Sequence, residues 1–127
     1  IGILLLHADG KILFQRRPPS GIWGGLLSLP EFPVAEDPQR HVAQACGCLV
    51  ERFIPLAPLR HTFTHFHLTL HPWSGASRPL PHTAEPSGLC WINADELDSA
   101  ALPTPIRRIV EDFLQDAEHA PRRKRRR

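Results

Sequence analysis

Between Gly25 and Cys48 the chain reads GLLSLPEFPVAEDPQRHVAQACGC, and this stretch decides the architecture. Leu26–Leu29 is short, apolar and closed by Pro30, which suits a brief strand. Asp37 followed by Pro38 is a helix start: an N-cap carboxylate, then a proline whose missing N–H costs nothing at the first helical position. The spacing predicts a helix to about Cys46, with Gly47 as its C-cap and Val42, Ala45 and Cys46 facing a core. Leu49–Ile54 then resumes strand-like character. A helix lies inside a run of strands.

The flanks extend this pattern. Ile1–His7 is an apolar run fit for a buried strand, Ala8-Asp9-Gly10-Lys11 is a hairpin signal, and Ile12–Arg16 reads as its second strand. Pro18-Pro19-Ser20-Gly21 and Gly24-Gly25 form a turn-rich loop around Trp23. Leu59–Pro72 is long and strand-like; uninterrupted, it would carry His61, His65, His67 and His71 on one face, opposite Phe66, Leu68 and Leu70, while Thr64 between Phe63 and His65 suits a hairpin end. Residues 73–88 hold three prolines and read as a loop. Leu89–Ile92 is a short strand, and Asn93 caps a single turn, Ala94–Leu97. Thr104-Pro105 opens a last helix, where Ile106, Ile109, Val110, Phe113 and Leu114 follow the amphipathic repeat. The class is α+β: a mixed sheet with one helix inside this stretch and a C-terminal helix packed on it.

The 127 residues suffice for one core, and no apolar run approaches a membrane span, so no membrane partner is expected. Position 1 is already strand-like and methionine is absent, the look of a piece of a longer protein. Lys plus Arg is 15 against 13 acidic residues, but six of the 15 sit in Arg122–Arg127. Without them the body carries 9 basic against 13 acidic residues, so an acidic domain over 1–120 precedes a basic, disordered tail over 121–127. Such a block often meets nucleic acid. Cys46, Cys48 and Cys90 show no C-x-x-C pair, which suits buried thiols in a reducing compartment. The His-x-His pattern alone would admit zinc, but no cysteine or acidic partner has ligand spacing.

Gly25, five residues and Glu31 resemble the opening of the Nudix box, G-x5-E-x7-R-E-U-x-E-E-x-G-U. With one extra residue, Arg40–Cys48 falls on its second half. The resemblance implies a Nudix-like fold. In that box, carboxylates hold divalent metal for pyrophosphate hydrolysis. Here His41, Gln44 and Ala45 stand at the glutamate positions, and an amide or a methyl cannot replace the hard anionic oxygens Mg²⁺ requires. A nucleotide pyrophosphohydrolase is therefore the disfavoured alternative, and no metal is expected.

Three further stretches narrow the resemblance. Gln15–Leu26 resembles RPxxGLWGGLW, Arg60–Leu68 resembles RHTFSHFHL, and Leu102–Arg107 resembles LPTPIRK. All belong, in this order, to the C-terminal domain of MutY-type adenine DNA glycosylases. Leu27 departs from a family tryptophan, and Thr64 replaces a serine but keeps the hydroxyl.

The resemblance implies a DNA-repair module that reads 8-oxoguanine opposite adenine through Phe63, Thr64 and His65. This chain would carry no catalytic residue and no cofactor. The catalytic N-terminal domain, with its [4Fe–4S] cluster, would be a separate part of the parent and this domain's partner. Double-stranded DNA containing 8-oxoG:A or A:G would be the other partner, in the cytoplasm at the bacterial nucleoid. Arg16, Arg17, Arg107, Arg108, Arg122, Arg123 and Lys124 are candidates for the DNA backbone, and Trp23 for a loop contact. The chemistry is compatible: 8-oxoguanine carries a protonated N7, and a threonine hydroxyl can accept from it.

Overall fold

The computed structural model describes residues 1–79 and 88–119. Among the described residues there are eight strands: β1 (Gly2–Ala8), β2 (Lys11–Arg16), β3 (Leu27–Ser28), β4 (Glu31–Phe32), β5 (Cys48–Pro55), β6 (Leu59–Thr62), β7 (His67–Pro79) and β8 (Leu89–Asn93). Strands β3-β2-β1-β7-β5 form the main path, while β4 pairs with β1, β6 with β7 and β8 with β2. The β1–β7 ladder is parallel and the other pairs are antiparallel, so the sheet is mixed as expected.

Alternation along β1 explains why this strand is apolar throughout. Ile3 and Leu5 join Ile12, Phe14, Leu97, Ile106, Ile109 and Val110 in one buried cluster. Leu4 and Leu6 join Leu13, Val42, Cys46 and Val50 in a second cluster. A strand with helical segments over both faces must be apolar on both. Helix α2 (Thr104–His119) covers the first face, placing Ile106, Ile109 and Val110 in that cluster. The segment at 38–46 covers the other.

That segment begins as α1 (Pro38–His41), with the Asp37 carboxylate accepting from the Gln39 amide at 3.1 Å. Its second half, Val42–Cys46, is wound as a π-helix, and the Gly47 amide reaches back five residues to the Val42 carbonyl. The expected cap is met, with Gly47 at φ 64°. The wider winding corrects the expected face: Val42 and Cys46 are buried, but Ala45 turns out to solvent.

Other boundaries also differ. The Asp9-Gly10 turn forms as expected, with positive φ at both residues (53° and 76°), the twist-matched hairpin geometry. The long strand expected over Leu59–Pro72 is broken into the β6–β7 hairpin, so its histidines do not share one strand face. The loop expected from Trp73 starts later, because β7 continues to Pro79 while pairing with β1 and β5. The rest of that expected loop, residues 80–87, lies outside the described residues, as does the basic tail. Among the described residues, no helix is long and apolar enough to cross a membrane.

Candidate functional site

The β6–β7 hairpin turns through Phe63-Thr64-His65-Phe66. Thr62 pairs with His67 at the end of the ladder, and the Phe63 amide donates to the Phe66 carbonyl at 2.8 Å. Just below, the Thr62 Oγ1 and His67 Nδ1 lie 2.9 Å apart. Thr64 and His65 are the two central residues of a tight turn, and both side chains are exposed.

The turn has an aromatic support. Phe63 and Phe66 stack with centroids 4.6 Å apart, and His61 meets Phe63 edge-on at 4.7 Å. Trp23 comes from a distant loop to lie 5.8 Å from Phe63 and 6.2 Å from His61. The outermost ring, Phe66, is 45% exposed. The result is a hydroxyl and an imidazole at the tip of a turn that packed rings hold in place.

The loop carrying Trp23 is wound tightly. Trp23 itself sits at φ 56°, a conformation bulky residues rarely hold. The Gly25 amide donates to the Pro18 carbonyl at 3.0 Å and the Leu26 amide to that of Trp23 at 3.1 Å. Gly24 must be glycine, since a Cβ there would fall 2.2 Å from the Pro19 carbonyl oxygen. Two arginines, at the end of β2 and just after it, fasten the loop. Arg16 donates to the Gly25 carbonyl at 2.9 Å; Arg17 donates to the Ile22 carbonyl at 3.3 Å and forms an ion pair with Glu31.

The remaining cationic candidates are dispersed. Arg107 donates to the Leu97 and Ala100 carbonyls, stitching α2 to the 3-10 turn at Ala94–Ser99. Arg108 is exposed beside a groove of about 390 Å³ that Leu56, Leu59, Pro72, Asp112 and Phe113 help to line. Arg122, Arg123 and Lys124 lie outside the described residues. Leu27, at the family tryptophan position, lines an open depression with Arg16, Ile92 and Glu96.

The residues at the metal-binding positions of the Nudix box do not fit a divalent cation. The Glu31 carboxylate is engaged by Arg17, and the exposed Gln44 and Ala45 offer no anionic oxygen. His41 packs against the Phe32 ring at 6.0 Å. Among the described residues, no three His, Cys, Asp or Glu side chains gather to hold a metal. Cys46 offers no activated thiol there: burial, and then the neighbouring Cys48, push its thiol up to about 11. It stays protonated at neutral pH.

Sequence reasoning placed Phe63, Thr64 and His65 in one site and Trp23 in a separate loop contact; the structure brings Trp23 and Phe63 together. It missed Phe66 as the stacking partner of Phe63, and Glu31 as the partner of Arg17. A tight turn at Thr64-His65 would have signalled the first by bringing Phe63 opposite Phe66. No local pattern signals the second.

With this geometry in view, the comparisons are specific. The model of the NUDIX domain family matches residues 2–112, and the chain belongs to that family. It is 29% identical over 124 residues to the adenine DNA glycosylase of the mouse, an alignment covering 88% of this chain. The chain spans about a quarter of that relative, 24% of its length. Its fold is that of the C-terminal domain of mouse MUTYH, solved in complex with human PCNA: TM-score 0.72, 22% identity, 94% of this chain and 89% of that one covered. A NUDIX hydrolase from Nitrosomonas europaea shares the fold at TM-score 0.67 and 16% identity, covering 90% of this chain and 86% of that one. The expected resemblance, a Nudix-like domain of the MutY type, is met.

Proposed function

We propose that this domain reads the base opposite the target adenine for an adenine DNA glycosylase and distinguishes 8-oxoguanine from guanine. The observation that carries the reading is the exposed Thr64 hydroxyl at the tip of the Phe63–Phe66 turn, backed by Trp23. A reader of 8-oxoguanine needs an acceptor for the lesion's N7–H. A hydroxyl supplies one, while guanine has no proton at that position. A rigid support matters because a hydrogen bond discriminates only when its geometry is fixed. The His65 imidazole beside it is a second polar group for the same base.

In this reading adenine removal and the flipping of that base belong to a catalytic domain elsewhere in the parent protein, with its [4Fe–4S] cluster. No cluster spacing occurs among the three cysteines of this chain. Duplex DNA bearing 8-oxoG:A or A:G is the substrate surface, reached within the cell's nucleoid. Arg16 and Arg108 are exposed and suited to phosphate. Arg122, Arg123 and Lys124 supply further charge to an otherwise acidic domain, so binding should weaken steeply with salt. A pyrophosphohydrolase reading lacks its carboxylates.

The test is a titration of the domain with two duplexes that differ only in 8-oxoguanine or guanine opposite adenine, at one salt concentration. The 8-oxoguanine duplex should bind about tenfold tighter, equivalent to ~1.4 kcal/mol, with amide NMR shifts centred on Phe63–Phe66. Equal affinities without shifts at that turn would overturn the reading.

A further inference from the structure

We infer that Glu31, the surviving carboxylate of the Nudix box, is a positioning residue: through Arg17 it holds Trp23 against the back of the Phe63–Phe66 turn. The inference rests on the reading that this turn meets the base.

The chain of contacts is continuous. Glu31 lies on β4, a two-residue strand pinned to β1 by the pairs Gly2↔Phe32 and Ile3↔Glu31. Its carboxylate accepts from Arg17, and the side chains are 29% and 22% exposed. The same guanidinium donates through Nε to the Ile22 carbonyl, one residue before Trp23. The Trp23 ring then meets Phe63 at 5.8 Å, and Phe63 stacks on Phe66 at 4.6 Å.

The chemistry of the two groups suits this role. A guanidinium is a planar fork, so a carboxylate on one edge fixes where its other N–H groups point. Here the other edge points at the loop's apex. The loop needs such a tether, because Trp23 at φ 56° is in a conformation that its surroundings must hold in place. A carboxylate that would ligate metal in an active box is here consumed by a cation.

Four variants of the full chain test this, with tryptophan replaced by 5-fluorotryptophan so that Trp23, Trp73 and Trp91 each give one ¹⁹F line. The Trp23→Phe change assigns the line of interest. Glu31→Gln should shift the Trp23 line and leave those of Trp73 and Trp91 in place. It should also cut the preference for the 8-oxoguanine duplex over the guanine duplex by about threefold or more, as expected of a residue acting through others. The charge-reversed pair Arg17→Glu with Glu31→Arg should recover both at least in part.

An unmoved Trp23 line, or a moved line with unchanged preference, would overturn the inference while leaving the base-reading proposal standing. If all three lines collapse, Arg17→Lys decides, since it keeps the charge but loses the fork; an unmoved Trp23 line there overturns the clamp. If the wild type shows no preference, the base-reading proposal fails, and the ¹⁹F line alone decides the clamp.

Discussion

Phe66 lies over Phe63 with ring centroids 4.6 Å apart and planes 19° from parallel. These residues flank Thr64 and His65, so the stack fixes the width of the turn that presents them. Aromatic pairs of this kind contribute ~0.5–1.5 kcal/mol beyond buried area. The side facing solvent is one ring face, and the side facing the protein ends on Trp23. A Nudix fold without a fitted metal set thus keeps a shaped surface of another kind.

The purified protein should release no phosphate or pyrophosphate from 8-oxo-dGTP with Mg²⁺ or Mn²⁺. Glu31 is held by Arg17, while Gln44 and Ala45 cannot ligate a hard cation. A colorimetric phosphate assay with added pyrophosphatase checks this. Release that rises with both protein and metal would mean carboxylates elsewhere assemble a site.

Arg107 belongs to the fold. Its guanidinium donates to two carbonyls of the segment before α2, and it is only partly exposed. Arg107→Met keeps the aliphatic stem but removes the bond to the Ala100 carbonyl, while the Leu97 carbonyl keeps only the Ala100 amide. It should cost about 2 kcal/mol, or roughly 7 °C in Tm for a chain of this length. DNA affinity at fixed salt should not change. A weaker affinity with an unchanged Tm would assign Arg107 to a phosphate instead.

His7 should make stability fall with acid. Burial against α2, where its ring lies 5.1 Å from Phe113, lowers its pKa from 6.5. The unfolded chain then takes up a proton at a pH where the folded chain does not. Stability is therefore full above 6.5 and declines as pH drops below it. Urea midpoints between pH 8 and about 5 should show this decline, and His7→Gln should flatten it. An equal slope in the variant would place the linkage elsewhere.

Much of the fold was legible because its signals are local. The Asp9-Gly10 turn, the Asp37-Pro38 helix start, Gly47 and the α2 repeat each act within a few residues. What escaped depends on partners far away. Strand β4 is two residues long and exists because β1 pairs with it. Strand β7 runs past Pro72 and Trp73 because β1 and β5 supply ladders there, overriding a proline-rich composition. The break at Phe63–Phe66 contains no glycine or proline, so nothing in its composition marks a turn. The π winding of Val42–Cys46 rotates Ala45 outward, which an ideal helical repeat cannot anticipate. At the candidate site, family motifs carried Phe63, Thr64, His65 and Trp23. The Trp23–Phe63 contact spans two loops 40 residues apart, and the Arg17–Glu31 pair has no sequence signature at all.

The most direct measurement is Thr64→Val in a glycosylase carrying this domain. Valine keeps the β-branched shape, so the hairpin and its aromatic support survive and only the hydroxyl is lost. Single-turnover adenine excision and duplex affinity are compared for adenine opposite 8-oxoguanine and opposite guanine, at one salt concentration. If the hydroxyl accepts from the lesion's N7–H, its removal leaves that donor unpaired and costs ~1–3 kcal/mol on the 8-oxoguanine duplex. The guanine duplex, having no such proton, should lose much less. The account predicts that the ratio of the two falls about fivefold or more, with the variant and the unsubstituted protein melting alike. Equal losses on the two duplexes, or none on either, would remove Thr64 from the recognition site and contradict the account.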